Sequence, residues 1–266
     1  MNNPIGNWKS TAQTVRRDLA DWASARLSGQ RGVDGSAEAE HLRTLRRDGF
    51  VAVEGHWPRA EALRLRDDLL KYVAHGGNRE FPEGAYLRSW DGRECDQGVR
   101  RIYHVERLID RLSAFRHDPL TRRLAAAYYG FDVHSGVLVY QHNLASNYDT
   151  RYYHVDIFDK EFKAFLYLDD VDEQNGPFTY LRGSHRAHFT RLRRQIQHRA
   201  GMKSTSFAEA DLGSLLQDEV KVCGPAGTLI LADVRGLHRG APQLSGARSV
   251  LVNYLYRHAG DVRIDA

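Results

Sequence analysis

The stretch YYHVDIFDKEFKAFLYLDDVDEQNGPFTYLRGSHR, residues 152–186, determines how the rest of the chain is interpreted. Its centre is His154-Val155-Asp156. On a β-strand, residues i and i+2 point to the same face. The sequence therefore predicts that an imidazole and a carboxylate project side by side into one cavity, as two ligands of a metal site.

A second stretch, GTLILADVRGLHRGAPQLSGARSVLVNYLYR at residues 227–257, supplies His238 and Arg248. Two histidines and one carboxylate are the set that holds non-haem Fe(II) on one face and leaves three positions open. We therefore predict that His154, Asp156 and His238 bind iron and form the catalytic centre. His185 is the alternative third ligand, although no arginine follows it at a comparable distance on a later strand.

The hydrophobic pattern predicts a mainly β protein with helices before the β core. From residue 131 onward at least seven short strands alternate with turns, which is typical of a jelly roll or double-stranded β-helix. We expect one domain over residues 1–266, with a helical and substrate-side portion at 1–130 and the jelly roll at 131–257. A helical insert is expected at about 186–217, and the earlier helices at 9–28, 37–47, 58–75 and 118–129 are expected to pack on one outer face.

The composition of the chain fits a globular enzyme of the cytoplasm. It has 266 residues, 42% of them apolar, and a net charge of +4. The sequence has no apolar run long enough for a membrane span, no secretory pattern at its start, and only two cysteines, which favours a reducing compartment. The sequence lacks the basic stripe with interleaved aromatic residues that is typical of nucleic-acid binding. We expect a small molecule to be the partner.

The order of the motifs resembles the phytanoyl-CoA dioxygenase family. The resemblance rests on His154-x-Asp156, the strand 165–169 (FLYLD), Asn-Gly-Pro at 175–177, Gly-Ser-His at 183–185, Gly-Thr-Leu-Ile-Leu at 227–231, His238 and Arg248, and it extends back to DGFVAV at 48–53. It implies a jelly-roll oxygenase that uses Fe(II), 2-oxoglutarate as co-substrate, and dioxygen. Succinate and CO₂ are the expected co-products.

The resemblance assigns co-substrate roles to four further residues. Arg248 follows His238 by ten residues and matches the anchor for the distal carboxylate of 2-oxoglutarate, a role that suits the two-pronged guanidinium. Gln141 and Asn143 share one face of the preceding strand, where relatives carry polar residues that reach the co-substrate; the alternative is a pair of satisfied amides in the barrel wall. Phe165 stands where relatives often carry tryptophan beside 2-oxoglutarate, or is simply a core residue.

Substrate contacts are expected in the N-terminal half. Arg88, Arg101, Tyr103 and His104 lie in polar and aromatic strand-like segments, and the alternative is that they are edge residues or members of ion pairs. Since Asp156 keeps a carboxylate where halogenating relatives have a small residue, we expect hydroxylation of a small molecule, with specialised metabolism as one setting, or else desaturation or cyclisation. A non-catalytic cupin-like binding protein and a zinc hydrolase are the competing hypotheses, and Arg248 argues against both.

Overall fold

The computed structural model describes residues 36–74, 77–89, 98–145, 152–156, 161–186 and 205–257. The helices are α1 (Ser36–Asp48), α2 (Arg59–Val73), α3 (Leu112–Arg116) and α4 (Pro119–Tyr129). The strands are β1 (Phe50–Val53), β2 (Arg79–Glu80), β3 (Tyr86–Ser89), β4 (Val99–Tyr103), β5 (His134–Leu144), β6 (Tyr153–His154), β7 (Phe162–Tyr167), β8 (Phe178–Leu181), β9 (Ser206–Phe207), β10 (Glu219–Val222), β11 (Leu229–Asp233), β12 (His238–Gly240) and β13 (Ala247–Tyr256).

The strands form two antiparallel sheets, as the jelly-roll prediction requires. The larger sheet has eight strands in the order β1-β11-β7-β13-β5-β4-β3-β2, and the smaller has five in the order β10-β8-β12-β6-β9. Side chains from both sheets meet in one apolar cluster, which includes Val252 of the larger sheet and Phe178 and Tyr180 of the smaller. The predicted mainly β fold class is therefore confirmed.

The helices cover the outer face of the larger sheet. Side chains alternate between the two faces of a strand, so Leu251 of β13 packs among the helices while its neighbour Val252 packs between the sheets. Leu65 and Leu69 of α2 lie in the same outer cluster and are fully buried. Because both faces of the sheet are covered here, β13 is apolar on both sides. None of the helices in the described ranges is long and apolar enough to cross a membrane.

Helix α4 begins where the sequence predicts. The Asp118 side chain accepts a hydrogen bond from the backbone N–H of Thr121 at 2.7 Å, and Pro119 occupies the first turn. These are favourable residues for a helix start, since a carboxylate satisfies a free N–H and proline has none to satisfy. Gly130 ends the helix with a φ of 78°, a conformation that glycine adopts without steric cost.

The predicted insert differs from the structure in the part that is described. Instead of an α-helix, residues 206–218 form β9 and two 3₁₀ turns, Glu209–Asp211 and Gly213–Asp218. Gly213 has a φ of +52°, which interrupts an α-helix between the two turns. Leu212, Leu215 and Leu216 instead pack with Tyr153 and Val155 behind β6. The expected helix at 9–28 and residues 187–204 of the insert lie outside the described residues.

Candidate metal centre and co-substrate pocket

Three predicted ligands lie together in the structure. One donor atom from each of His154, Asp156 and His238 falls within 4.8 Å of the other two. Asp156 Oδ2 lies 3.2 Å from His238 Nε2, and Asp156 Oδ1 lies 3.7 Å from His154 Nε2. The three donors therefore lie close enough together for one ion to contact all of them.

Pairing of two short strands brings the ligands together. His238 of β12 is the direct antiparallel partner of His154 in β6. The two histidine strands are thus antiparallel neighbours in the smaller sheet. Asp156 lies just beyond the end of β6, where its backbone N–H donates to Val234 O at 3.3 Å. The carboxylate is therefore carried by a segment that is tied to the loop preceding β12.

Backbone carbonyls orient both imidazoles. His154 Nδ1 lies 3.0 Å from the carbonyl oxygen of Tyr152, and His238 Nδ1 lies 2.9 Å from that of Gly236. A carbonyl can only accept, so each Nδ1 carries the proton and each Nε2 keeps a free lone pair. This arrangement is common for metal-binding histidines, because it fixes both the tautomer and the ring direction.

The electrostatics favour a divalent cation at this point. Desolvation by the surrounding strands lowers the pKa of His154 to about 4, and the neighbouring His238 adds to the effect. Burial opposes ionisation of Asp156, but Lys163 and His238 outweigh it and hold the pKa of that carboxyl well below its ordinary value. Near neutral pH the site thus offers a neutral His154 imidazole and an ionised carboxylate, which are the forms that bind metal.

The loop before His238 is fixed by buried polar contacts. Ser184 Oγ accepts a hydrogen bond from Leu237 N at 2.8 Å, so this serine supports the loop that carries His238. Asp233 forms a buried ion pair with Arg235 at 2.6 Å. The Tyr180 hydroxyl donates to the carbonyl oxygen of Asp233 at 2.8 Å. The Gly-Ser-His motif therefore acts through the loop that carries His238.

His185 lies apart from the metal donors. It is buried, with Nε2 lying 3.3 Å from the carbonyl oxygen of Arg46, and burial lowers its pKa to about 4. A Cβ on Gly49 would lie 2.5 Å from its Nδ1, so the ring packs closely against the backbone ahead of β1. In the described part of the chain it belongs to no group of candidate metal ligands. It therefore has a packing role in this structure.

Arg248 lies on the inner face of the larger sheet. It pairs with Asn143 across β13 and β5, and it shares a strand face with Val250 and Val252 of the inter-sheet cluster. Only 5% of its surface is exposed, and burial lowers the pKa of its guanidinium. The Tyr167 phenol is the principal group that acts against this lowering. A desolvated cation in a cavity favours an anionic ligand.

The other predicted co-substrate residues line the same interior. Gln141 Nε2 donates to Asn143 Oδ1 at 2.9 Å, and Arg101 Nε donates to Gln141 Oε1 at 2.8 Å. Phe165 of β7 packs against Phe178, with their ring centroids 4.8 Å apart. Phe178 in turn lies 5.7 Å from the ring of His238. One apolar wall therefore connects Phe165 to the metal ligands.

The predicted substrate residues fall into two groups. Arg101 and Tyr103 lie on the inner face of β4, and Tyr103 stacks on Tyr86 with ring centroids 4.8 Å apart. Arg88 pairs with Glu80 at 2.7 Å and is 38% exposed, so it is an ion-pair member. His104 follows β4 with a φ of 56°, and its Nδ1 lies 3.8 Å from Glu106 Oε1. His104 thus lies at a turn rather than on the strand.

Two polar neighbours of the metal site were missed from sequence. Lys163 Nζ lies 2.8 Å from Asp156 Oδ2 and 3.5 Å from Glu161 Oε1. Burial would lower the pKa of Lys163, but Asp156, Tyr254 and Glu161 together raise it above its ordinary value. Burial raises the pKa of Glu161 to about 7 against the opposing effect of Lys163. The signal available in the sequence was a lysine two residues before Phe165, on the same strand face.

Comparisons with known proteins show the family and the fold of this chain. The family model described as "Phytanoyl-CoA dioxygenase (PhyH)" matches residues 45–250. A search of curated proteins finds no match. Among solved structures, the epimerase SnoN in complex with Fe³⁺, alpha ketoglutarate and nogalamycin RO is 18% identical, with a TM-score of 0.61 and coverage of 85% of this chain and 88% of SnoN.

Two further solved structures share the fold. EctD from S. alaskensis with bound Fe is 16% identical, with a TM-score of 0.64 over 85% of this chain and 79% of EctD. HygX from Streptomyces hygroscopicus with nickel and 2-oxoglutarate is 17% identical, with a TM-score of 0.58 over 81% of this chain and 85% of HygX. Because the family model spans most of the chain and both facing sheets are present, this chain belongs to the phytanoyl-CoA dioxygenase family of iron- and 2-oxoglutarate-dependent oxygenases.

Proposed function

We propose that this protein is an Fe(II)- and 2-oxoglutarate-dependent oxygenase that hydroxylates a small molecule. The convergence of His154, Asp156 and His238 within 4.8 Å is the observation that carries the proposal. These three residues would hold the metal and form the catalytic centre. When bound, iron with 2-oxoglutarate and dioxygen supplies oxidising power through loss of CO₂, with succinate as the co-product.

Arg248 would bind the distal carboxylate of 2-oxoglutarate. Its guanidinium is buried, and Arg248 lies on the face of β13 that is directed toward the smaller sheet. A planar guanidinium pairs with both oxygens of a carboxylate, and desolvation strengthens that pair. Phe165 would exclude water from one side of the co-substrate. Gln141 and Asn143, which are hydrogen-bonded to one another, would present polar atoms on another side.

The substrate would enter beside β3 and β4. These strands extend the larger sheet beyond β5 and place the Tyr86–Tyr103 stack and Arg101 on its inner face. Arg101 is half-buried and is oriented by Gln141, so its charge is available at the edge of the proposed co-substrate pocket. A guanidinium beside an aromatic stack suits a substrate that carries an acid group and an apolar or planar body.

The presence of Asp156 favours hydroxylation over halogenation, because the carboxylate occupies the ligand position that a halide would need. Oxidative cyclisation or desaturation at the same centre is the second candidate. The specific observation in its favour is that SnoK, described as a carbocyclase, shares the fold with a TM-score of 0.57 at 15% identity. Product analysis separates these reactions, since hydroxylation adds an oxygen atom and the other two remove hydrogen.

The ligand assignment is tested by equilibrium dialysis of Fe(II) under anaerobic conditions. We expect His154→Ala and His238→Ala to bind Fe(II) at least a hundredfold more weakly than the parent protein and to form no succinate from 2-oxoglutarate, because each loses one of three ligands. His134→Ala removes an exposed histidine of β5 and serves as the matched control. Parent-like Fe(II) binding in either ligand variant would disprove the assignment.

A further inference from the structure

The inner face of β7 carries a lysine in a position otherwise occupied by core residues. Lys163, Phe165 and Tyr167 share this face, and Lys163 is only 6% exposed. Its cross-strand partners are Ala232 of β11 and Tyr254 of β13. Burying an ammonium group is costly unless it is paired. The presence of Lys163 among core residues therefore calls for a structural explanation.

The contacts of Lys163 all point toward the metal site. Its ammonium lies 2.8 Å from Asp156 Oδ2, 3.5 Å from Glu161 Oε1, and 3.9 Å from the centroid of the Tyr254 ring. The ammonium therefore lies between two carboxylates and the face of one aromatic ring. The side chain is thus fixed on three sides.

The contact between Lys163 and Asp156 gives the two carboxylate oxygens different surroundings. Oδ2 forms the ion pair with Lys163 and lies 3.2 Å from His238 Nε2, while Oδ1 is the oxygen nearer to His154 Nε2. A cation that contacts one oxygen of a carboxylate partly occupies the lone pairs of that oxygen. Such a carboxylate binds a metal more readily through its other oxygen than through both.

We propose that Lys163 is a positioning residue that restricts Asp156 to binding metal through one oxygen. This inference rests on the proposed function, in which 2-oxoglutarate needs two of the three open positions on the metal. A carboxylate that chelated through both oxygens would take one of those positions. Lys163 therefore preserves the co-substrate's place without touching the co-substrate.

Glu161 balances the charge of this arrangement. It is 6% exposed and lies within ion-pair distance of Lys163, so the buried lysine is paired with two acidic groups. Because Glu161 is not among the metal donors, its replacement alters the charge balance and leaves the ligand set intact. It therefore offers a second variant in which the loss of the lysine is compensated.

The test measures Fe(II) binding and 2-oxoglutarate binding separately under anaerobic conditions. The variants are Lys163→Met, which keeps the length and removes the charge, and the double variant Lys163→Met with Glu161→Gln, which also removes the unbalanced acid. Lys221→Met is the control, because Lys221 forms a comparable 2.9 Å ion pair with Glu173 at an exposed position. Circular dichroism and thermal unfolding establish that each variant is folded.

The two affinities are expected to respond differently. In both Lys163 variants the Fe(II) affinity should be retained or become tighter, since a cation beside a dication is removed. The 2-oxoglutarate affinity of the Fe(II)-loaded variants should fall by about tenfold or more, in the range of changes to groups that orient metal ligands. Lys221→Met should leave both affinities unchanged.

Other outcomes would overturn the proposal. If both affinities fall together in the folded double variant, Lys163 only supports the local structure. If 2-oxoglutarate binds as tightly as in the parent, Lys163 does not control the coordination of Asp156. Failure of the parent protein to bind Fe(II) and 2-oxoglutarate would instead contradict the proposed function, so the two failures are distinguishable.

Discussion

Replacement of Arg248 by methionine gives the sharpest test of the co-substrate pocket. Arg248 is 5% exposed, so a carboxylate bound to it is also removed from water. Methionine fills a similar volume and removes the charge and the hydrogen-bond donors. The two proposed histidine ligands lie on the smaller sheet, whereas Arg248 belongs to β13 of the larger sheet, so Fe(II) binding should be unaffected.

The size of the effect follows from the loss of one partner of a buried charge pair, which costs about 3–5 kcal/mol. At about 1.4 kcal/mol for each factor of ten, this corresponds to a loss in 2-oxoglutarate affinity of roughly two to three and a half orders of magnitude. Arg248→Lys should lose less, roughly one to two orders, because lysine keeps the charge and loses the two-pronged geometry.

The assay is an anaerobic titration of the Fe(II)-loaded protein with 2-oxoglutarate, with Fe(II) affinity measured separately. Arg100→Met is the matched control, because Arg100 belongs to β4 of the same sheet and donates to the carbonyl oxygen of Val73 in α2, on the outer face. An Arg248→Met protein whose 2-oxoglutarate affinity falls by less than fivefold would refute the role of Arg248 as the carboxylate anchor.

Three further perturbations test other parts of the account. Asp156→Gly should abolish hydroxylation and leave Lys163 beside a vacant ligand position. Chloride should therefore tighten Fe(II) binding in this variant and not in the parent. The absence of a chloride effect would contradict the proximity of Lys163 to the position of Asp156. Gly236→Ala places a Cβ where the Tyr180 hydroxyl lies and shifts the carbonyl that orients His238. We therefore expect the Fe(II) affinity to fall by about 10–100-fold. An unchanged Fe(II) affinity in a dialysis experiment would count against the orienting role of this carbonyl. Burial lowers the pKa of His185 to about 4 from its ordinary 6.5, so the unfolded chain takes up a proton at a higher pH than the folded chain. The free energy of unfolding should therefore fall by about 3 kcal/mol as the pH drops from about 6.5 to 4. Urea unfolding across that range should show a weaker dependence of this free energy on pH for His185→Gln, and an equal dependence in both proteins would show that this histidine is not buried in its neutral form.

The ligand set was predictable because its spacing in the sequence has a direct structural meaning. His154 and Asp156 are two residues apart, and His238 lies at the start of a strand that pairs with the His154 strand. Arg248 was singled out by the family resemblance, through its place ten residues after His238, and the alternation of side chains along β13 places it on the inner face in the structure. The mainly β class followed from the same alternation over residues 131–257.

The support around the ligands was not predictable from spacing. Lys163 contacts Asp156 and Glu161 through tertiary ion pairs, and no local pattern in the sequence encodes them. The Ser184 hydroxyl accepts a hydrogen bond from the backbone N–H of Leu237, 53 residues later in the chain. Such contacts depend on tertiary pairing rather than on propensity.

The predicted helix at 208–217 failed for a local reason. The leucines at 212, 215 and 216 are spaced for one face of an α-helix, and the same spacing suits a 3₁₀ turn, in which residues i and i+3 align. The left-handed conformation of Gly213 interrupts a continuous α-helix and leaves the 3₁₀ turns. Neither the sequence pattern nor the apolar content of this segment distinguishes them.

The most direct test of the central claim is a spectroscopic titration of the metal-free protein with Fe(II) and then 2-oxoglutarate in the absence of oxygen. We expect a visible metal-to-ligand charge-transfer band to appear when 2-oxoglutarate is added, and to be absent in His154→Ala. If Fe(II) binds and 2-oxoglutarate produces no band, the co-substrate assignment is wrong, and a metal-binding protein or a hydrolase becomes the better account of this site.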